Sequence, residues 1–217
     1  MAARHAGSFP DEQTARAAVL TALAVHRERV EAWAAQLPAV PRWAVRTTAA
    51  EPVGALLSDP AGEPQPVADT VVVLARGAVT GSGGRAADGR TSGDGAAAYG
   101  VLTAYPERTP AWQLGHGALL SAGLTAGAGC PYPELEQVAL CWLGQDWDAD
   151  GAAGAAAALA RWAAATPAGT RERAARESAL ALEEVPAPGL VSLLDDLGVA
   201  VPYDDPWHLL VSVQTAA

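Results

Sequence analysis

The sequence contains no lysine, and arginine supplies all 14 of its fixed positive side chains. It is also poor in cysteine, with only Cys130 and Cys141. Two cysteines are too few for the disulfide scaffold of a small secreted protein, and their spacing does not match a zinc site. We therefore predict two free thiols in a reducing compartment, with no metal and no cofactor.

The sequence also lacks an apolar run suited to secretion or to membrane insertion. Met1 to His5 leads directly into polar residues, so no signal peptide is expected. Residues 109–133 carry no charged side chain, but five glycines and the flanking prolines make them a poor spanning helix. We predict a cytoplasmic protein with no membrane partner.

Acidic charge is concentrated in one part of the chain. Residues 1–108 hold 10 Arg and 11 Asp or Glu, a net of −1, while residues 109–217 hold 4 Arg and 13 Asp or Glu, a net of −9. The two values add to the net charge of −10. The acidic part is unsuited to binding nucleic acid and suited to a basic partner, although solvated helix faces would have the same composition.

The first part begins with a helical pattern. Side chains recur at steps of three and four residues, which predicts one amphipathic helix with capping oxygens from Ser8 and Asp11 and an end at Pro38. The members of this stripe are Val19, Leu23, His26, Val30, Trp33 and Leu37. His26 is therefore expected in or near the core.

Strand patterns follow the helix. Residues 43–47, 71–74 and 99–105 are rich in β-branched and aromatic side chains, and a long loop of Gly, Ser and Asp is expected at residues 77–95. The predicted fold of residues 1–108 is therefore α+β, a helix with an antiparallel sheet.

The pattern becomes helical throughout after a Gly-rich connector at residues 109–129. Candidate helices, separated by Gly and Pro, occupy residues 133–143, 152–165, 170–184, 190–197 and 207–213. We predict a small all-α bundle over residues 130–217 and a domain boundary in the connector. Below, residues 1–108 are called the α/β half and residues 130–217 the helical half.

The α/β half resembles a known family over about residues 6–107. Ser8-Phe9, the helix ending in Val30-Glu31-Ala32-Trp33, the strand at 71–74 and the string from Tyr99 to Pro106 are similar to the ribonuclease A-like toxin domain at the C-terminus of contact-dependent growth inhibition proteins. The Val-Leu-Thr-Ala-Tyr-Pro part of the string is the most specific element. This resemblance implies a ribonuclease A-like fold.

The helical half resembles the small immunity proteins that neutralise such toxins. Tyr132-Pro133-Glu134-Leu135, Gln145-Asp146-Trp147-Asp148, Leu180 to Glu184, Leu197-Gly198 and Trp207 follow the order found in that family. The Gln-Asp-Trp-Asp element is the best single marker. The resemblance implies a protein that binds a toxin and blocks it.

The resemblance also implies which residues would cleave RNA. The toxin family uses a His and a basic residue of an N-terminal helix with a Thr and a Tyr of the last strand, and Thr103 and Tyr105 match the latter pair. Residues two apart on a strand share a face, so both hydroxyls could point at one phosphate, although packing would also explain both residues. In that family the helix that bears the His precedes the Ser-Phe element, but only seven residues precede Ser8 here. No residue therefore matches the catalytic His. His5 is the candidate substitute if the N-terminus folds back. We therefore expect a truncated, catalytically incomplete toxin-like half, in which Thr103 and Tyr105 are vestigial or supporting.

An acidic segment of the helical half has two interpretations. Asp146, Asp148, Asp150 and Gly151 match the opening of a calcium-binding loop, but Ala157 stands where the bidentate Glu should be. We predict no calcium site. The segment is a helix-capping turn or, with Trp147, a surface that meets the basic cleft of the toxin, and the two roles can coexist.

The sequence therefore predicts a toxin-immunity fusion from bacterial competition. Its helical half would bind and block a ribonuclease toxin, either its own α/β half or a related toxin, and the Gly-rich connector would also allow a domain-swapped dimer. The alternative is an active, metal-free ribonuclease, the case in which RNA would be a partner. An artificial joining of the two parts is a third possibility.

Overall fold

A computed structural model of the chain describes residues 6–37, 39–57, 63–76, 99–110, 130–144, 154–200 and 205–217. In the α/β half the elements are β1 (Ala6–Ser8), α1 (Glu12–Val25), α2 (Arg27–Ala35), β2 (Arg42–Thr48), β3 (Gly54–Leu57), β4 (Gln65–Val67), β5 (Asp69–Arg76) and β6 (Tyr99–Glu107). In the helical half they are α3 (Pro133–Trp142), α4 (Gly154–Ala165), α5 (Ala168–Glu184), a 3-10 turn (Ala187–Gly189), α6 (Leu190–Leu197) and α7 (Pro206–Ala216). The predicted α+β part followed by a helical part is confirmed.

The strands form two antiparallel sheets of three strands each, ordered β2-β5-β6 and β1-β3-β4. Strand β5 lies at the centre of the first sheet and is buried on both faces, with Val71, Val72, Val73 and Leu74 at most 1 % exposed. A strand that is covered on both faces has no solvent-facing positions for polar residues. This explains why its β-branched residues form a continuous run. The second sheet meets the end of β6, where a Cβ on Gly54 would lie 2.6 Å from Pro106 Cγ.

Two hydrophobic cores lie on opposite faces of the sheet β2-β5-β6. The smaller core joins α1 and α2 to this sheet and consists of Ala22, Val30, Trp33, Ala34, Val45, Val72 and Leu74. The larger core combines sheet residues Ala44, Val71, Val73 and Tyr105 with buried side chains of the five helices described in the helical half. The sheet is therefore sandwiched between α1 and α2 on one side and the helical half on the other.

The helix predicted before Pro38 is two helices. Helix α1 ends at Val25 and α2 begins at Arg27, with His26 between them at φ −102° and ψ 16°. The His26 ring Nε2 lies 2.8 Å from the carbonyl oxygen of Arg46 on β2, a contact that holds the break against the sheet. The stripe prediction was wrong at Leu37, which lies beyond the end of α2 and is 87 % exposed.

The capping prediction was right at Asp11 and wrong at Ser8. The Asp11 carboxylate accepts a hydrogen bond of 2.7 Å from the Thr14 backbone N–H, which satisfies one free donor of the first turn. This bond also lowers the pKa of Asp11. Ser8 instead pairs with Ala55 as part of β1.

All five helices predicted in the helical half are present, with ends shifted by at most three residues. Helix α6 ends where Gly198 adopts a left-handed conformation at φ +88°. A residue with a side chain is strained there, so the glycine defines the end of the helix.

Several predictions concern residues outside the described ranges. They are the loop at 77–95, most of the connector at 109–129, His5, and the acidic segment at 145–151. The division of the chain into 1–108, 109–129 and 130–217 stays a prediction. Over the described residues, no helix has the length and apolarity needed to cross a membrane, and no group of three His, Cys, Asp or Glu could hold a metal ion.

Candidate functional site

Thr103 and Tyr105 lie on the face of the sheet that meets the helical half. Along β6, Tyr105 is opposite Val71 and Thr103 is opposite Val73, and both valines belong to the larger core. Across β5, the same two rows continue to Arg46 and Ala44 on β2. Thr103, Tyr105 and Arg46 therefore share one face, as the alternation along the strand predicts for the first two.

Tyr105 is buried beneath the end of α3. Its side chain is 4 % exposed, and its hydroxyl lies 3.5 Å from the carbonyl oxygen of Leu140, at the limit of a hydrogen bond. Just after α3 the chain passes so close that a Cβ on Gly144 would be 2.7 Å from the Tyr105 hydroxyl oxygen. The helical half thus covers this hydroxyl.

Arg46 is a cation of this face whose side chain is only 5 % exposed. Within the α/β half it donates to the Arg108 carbonyl at 3.1 Å and lies 4.0 Å from the Asp69 carboxylate. From the helical half it meets the Glu136 carboxylate at 3.8 Å and donates to the Asp196 carbonyl at 3.3 Å. A buried guanidinium needs such partners, and here both halves supply them.

Arg42 also reaches from the sheet into the helical half. Its guanidinium stacks on the Trp142 ring, 4.3 Å from the ring centroid, and donates to the Cys141 carbonyl at 3.1 Å. The carbonyl groups at a helix C-terminus carry partial negative charge. Neither α3 nor α6 has a basic residue in its own last turn, so Arg42 and Arg46 of the α/β half provide the complementary charge.

Arg108, the residue after β6, makes the most direct ion pair between the halves. Its Nη2 lies 2.8 Å from the Asp196 carboxylate and 3.9 Å from the Asp195 carboxylate, both on α6. It also approaches the Ser192 carbonyl at 3.5 Å. The Arg108 side chain is 34 % exposed, compared with 5 % for Arg46.

Gln137 of α3 binds the main chain of β2. The Ala44 backbone N–H donates to Gln137 Oε1 at 2.8 Å, and Gln137 Nε2 donates to the Ala44 carbonyl at 3.1 Å. Strand β2 is an edge strand whose outward peptide groups need partners. The side-chain amide supplies a donor and an acceptor at once, as a neighbouring strand would.

Two glutamates of the helical half are partly buried, Glu136 at this junction and Glu177 beside the start of α3. Burial raises the pKa of Glu136 above its ordinary value, while the nearby Arg46 and Arg29 lower it by less. Burial likewise raises the pKa of Glu177, although its carboxylate accepts a 2.8 Å hydrogen bond from the Leu135 N–H at the start of α3. The acidic character of the helical half is therefore partly directed inward.

Both cysteines are free, as predicted. Cys141 is buried on α3, and burial raises the pKa of its thiol to about 12. Burial also raises the pKa of Cys130. Both thiols are therefore protonated near neutral pH and unsuited to nucleophilic chemistry.

The structure describes two of the predicted site residues. Thr103 and Tyr105 are together on the covered face, whereas His5, Asp146, Trp147, Asp148 and Asp150 lie outside the described residues. The contacts that join the halves were not predicted from the sequence; they are made by Arg42, Arg46, Arg108, Glu136, Gln137 and Asp196. One signal was available in the sequence. Arg42, Ala44 and Arg46 are two residues apart along a strand, so the two arginines share a face with the buried Ala44.

Comparison with known proteins supports a toxin-related assignment of the α/β half. A family model described as the bacterial CdiA-CT RNAse A domain matches residues 1–86. This match spans β1 to β5 and stops before β6, which carries Thr103 and Tyr105. The first 86 residues are therefore similar to ribonuclease A-like toxin domains of contact-dependent growth inhibition.

A solved structure gives a weaker likeness. It is described as a CdiA-CT/CdiI complex from Y. kristensenii 33638, with 18 % identity over 48 % of this chain and 77 % of that chain and a TM-score of 0.36. No curated protein matches the chain.

Proposed function

We propose that this chain is a toxin-immunity fusion, in which the helical half binds the ribonuclease-like half and blocks its sheet face. The observation that supports this proposal is how the two halves meet. Tyr105 is buried under α3. Carbonyl and carboxylate oxygens of α3 and α6 bind three arginines of the same half, Arg42, Arg46 and Arg108. A face that places arginines beside Thr and Tyr hydroxyls suits an RNA phosphate. The helical half would occupy that face.

The charge balance of the chain supports this proposal. Three acidic residues of the part of the chain with net charge −9 meet these arginines, namely Glu136, Asp195 and Asp196. Inhibition by occupancy needs complementary charge and shape and no chemistry of its own. The partner of the helical half is then its own α/β half, and a related ribonuclease toxin from another cell would present a similar face.

A second candidate function is RNA cleavage by the α/β half once the helical half has been removed. It is favoured by the position of Arg46 in the same cross-strand row as Tyr105, because a cation near the reacting phosphate would stabilise the transition state. Thr103 and Tyr105 would support this reaction, and His5 or another group would have to transfer the protons.

Separate expression of residues 1–108 and 109–217 tests both candidates. Blocking predicts that the second fragment binds the first or a related ribonuclease toxin and suppresses whatever RNA cleavage that partner shows. Cleavage by the first fragment that is lost in Thr103→Ala or Tyr105→Phe would establish the second candidate and overturn the expectation of an inactive half. A second fragment that binds neither partner would overturn the proposal of an immunity role.

A further inference from the structure

The contacts between the halves fall into two kinds that differ in what they can recognise. Gln137 binds the main-chain N–H and carbonyl of Ala44, and such main-chain groups are the same in every sequence with this fold. Asp195 and Asp196 bind the guanidinium of Arg108, a side chain that another toxin need not have. The first kind of contact contributes affinity without selectivity, whereas the second depends on the partner's sequence.

We infer that the Arg108 contact with Asp195 and Asp196 determines which ribonuclease-like domains the helical half accepts, an inference that rests on the proposed function. The accepted partner is a domain that has two features. Its edge strand equivalent to β2 is available to Gln137, and a cation directly follows its last strand. A domain with an acidic residue there would place like charges together at the end of α6. Such juxtaposition costs far more than a neutral substitution, because Asp196 is largely withdrawn from solvent.

The position of Arg108 links recognition to blocking. Arg108 follows β6 directly and lies three residues after Tyr105, so a helical half that binds this cation places α3 over the Tyr105 hydroxyl. The backbone of Arg108 is fixed from both sides, since its N–H donates to Glu107 at 2.9 Å and its carbonyl accepts from Arg46. The guanidinium is therefore presented in a defined place.

Arg42 and Arg46 are less suited to selecting partners. Arg46 lies 4.0 Å from the Asp69 carboxylate of its own half and is almost fully buried, so it is part of the internal packing of the sheet face. Arg42 donates to a main-chain carbonyl, that of Cys141, and stacks on the Trp142 ring. The Arg108 contact, at the partly exposed margin, can change its charge with less disturbance of either half.

A competition between nicked proteins tests this inference with the full chain. A protease site is inserted within residues 111–129, and the folded protein is cleaved so that the halves become separate polypeptides. Nicked wild-type protein is mixed with nicked Arg108→Glu/Asp196→Arg protein, and native mass spectrometry counts the four pairings after exchange. We expect the two charge-matched pairings to exceed the mismatched ones by about tenfold or more.

Milder substitutions keep the inference testable if the charge-reversed proteins misfold. Arg108→Gln and Asp196→Asn are expected each to weaken the pairing and to be non-additive when combined, as in a double-mutant cycle. Equal amounts of all four pairings, with additive effects of the mild substitutions, would overturn the inference and leave the proposed function intact. Nicked wild-type halves that do not associate at all would instead overturn the proposed function.

Discussion

At the scale of single residues, Arg46 is the side chain on which the packing between sheet and helices most depends. Its guanidinium is 5 % exposed and neutralises Asp69 within the α/β half and Glu136 from the helical half. A buried pair is not itself strongly stabilising, but removal of one member leaves an uncompensated charge. The same residue continues the row that contains Tyr105, so its role in packing and its role at the candidate site coincide.

Arg46→Ala is therefore expected to lower the free energy of unfolding by about 3–5 kcal/mol, measured by urea denaturation. Arg27→Ala is the matched control, because the Arg27 to Glu31 pair is exposed and should change stability by about 0.5 kcal/mol or less. An Arg46 variant no less stable than the Arg27 variant would contradict the assigned role.

Glu136 gives a prediction about pH. Because burial raises its pKa in the folded protein, the folded state holds the proton over a pH window in which the unfolded chain has released it. The contribution of this residue to stability is therefore present below its ordinary pKa near 4.5 and is lost as pH rises through the folded pKa. Gln cannot ionise, and Asp69 still accompanies Arg46 in the variant. Glu136→Gln should therefore be more stable than wild type at neutral pH, and the difference should vanish toward pH 4.

Urea denaturation over this pH range, with Glu31→Gln as an exposed control, checks the Glu136 prediction. A Glu136→Gln protein that is less stable than wild type at neutral pH would show that the ion pair with Arg46 outweighs the cost of burial.

At the scale of elements, α3 joins the halves, since it contacts β2 through Gln137 and covers β6 at Tyr105. Gln137→Ala would leave the Ala44 N–H and carbonyl without their partner on the edge of β2. We expect a loss of about 1–3 kcal/mol in unfolding free energy and faster hydrogen exchange of the Ala44 amide. Gln13→Ala, on the exposed side of α1, should change neither quantity, and unchanged exchange at Ala44 would exclude the proposed bond.

The end of α3 provides a packing test. A Cβ at Gly144 would lie 2.7 Å from the Tyr105 hydroxyl and 2.8 Å from the Leu140 carbonyl oxygen, so Gly144→Ala should cost about 1–3 kcal/mol through crowding. At Gly169, on α5, an added Cβ meets nothing within 4 Å, and Gly169→Ala should be neutral or stabilising by up to about 1 kcal/mol. Equal effects of the two substitutions in thermal denaturation would show that α3 does not close over Tyr105.

At the scale of the whole molecule, the sequence predicted the elements better than their association. The β-branched run of β5 and the Gly and Pro residues between helices are local signals, and they located the central strand and all five helices of the helical half. The break at His26 was missed, because it involves a contact with Arg46 twenty residues away. The short strands β1, β3 and β4 have only three or four residues each and no distinct periodicity.

The contacts between the halves could not be predicted for the same reason. Gln137 and Ala44 are 93 residues apart, and Arg46 and Asp196 are 150 residues apart. Their pairing depends on how the sheet face meets α3 and α6, which no local pattern encodes. Thr103 and Tyr105 were found by their resemblance to a toxin strand, whereas the arginines beside them became visible only when β2, β5 and β6 were aligned.

The most direct test of the central claim is whether the halves remain bound when the chain between them is cut. Full-length protein with a protease site within residues 111–129 is cleaved and analysed by size-exclusion chromatography at low micromolar concentration. The account predicts that both fragments elute together, with the Tyr105 region protected from hydrogen exchange as in the uncut protein. Fragments that separate on cleavage, with loss of that protection, would show that the helical half does not bind the sheet face.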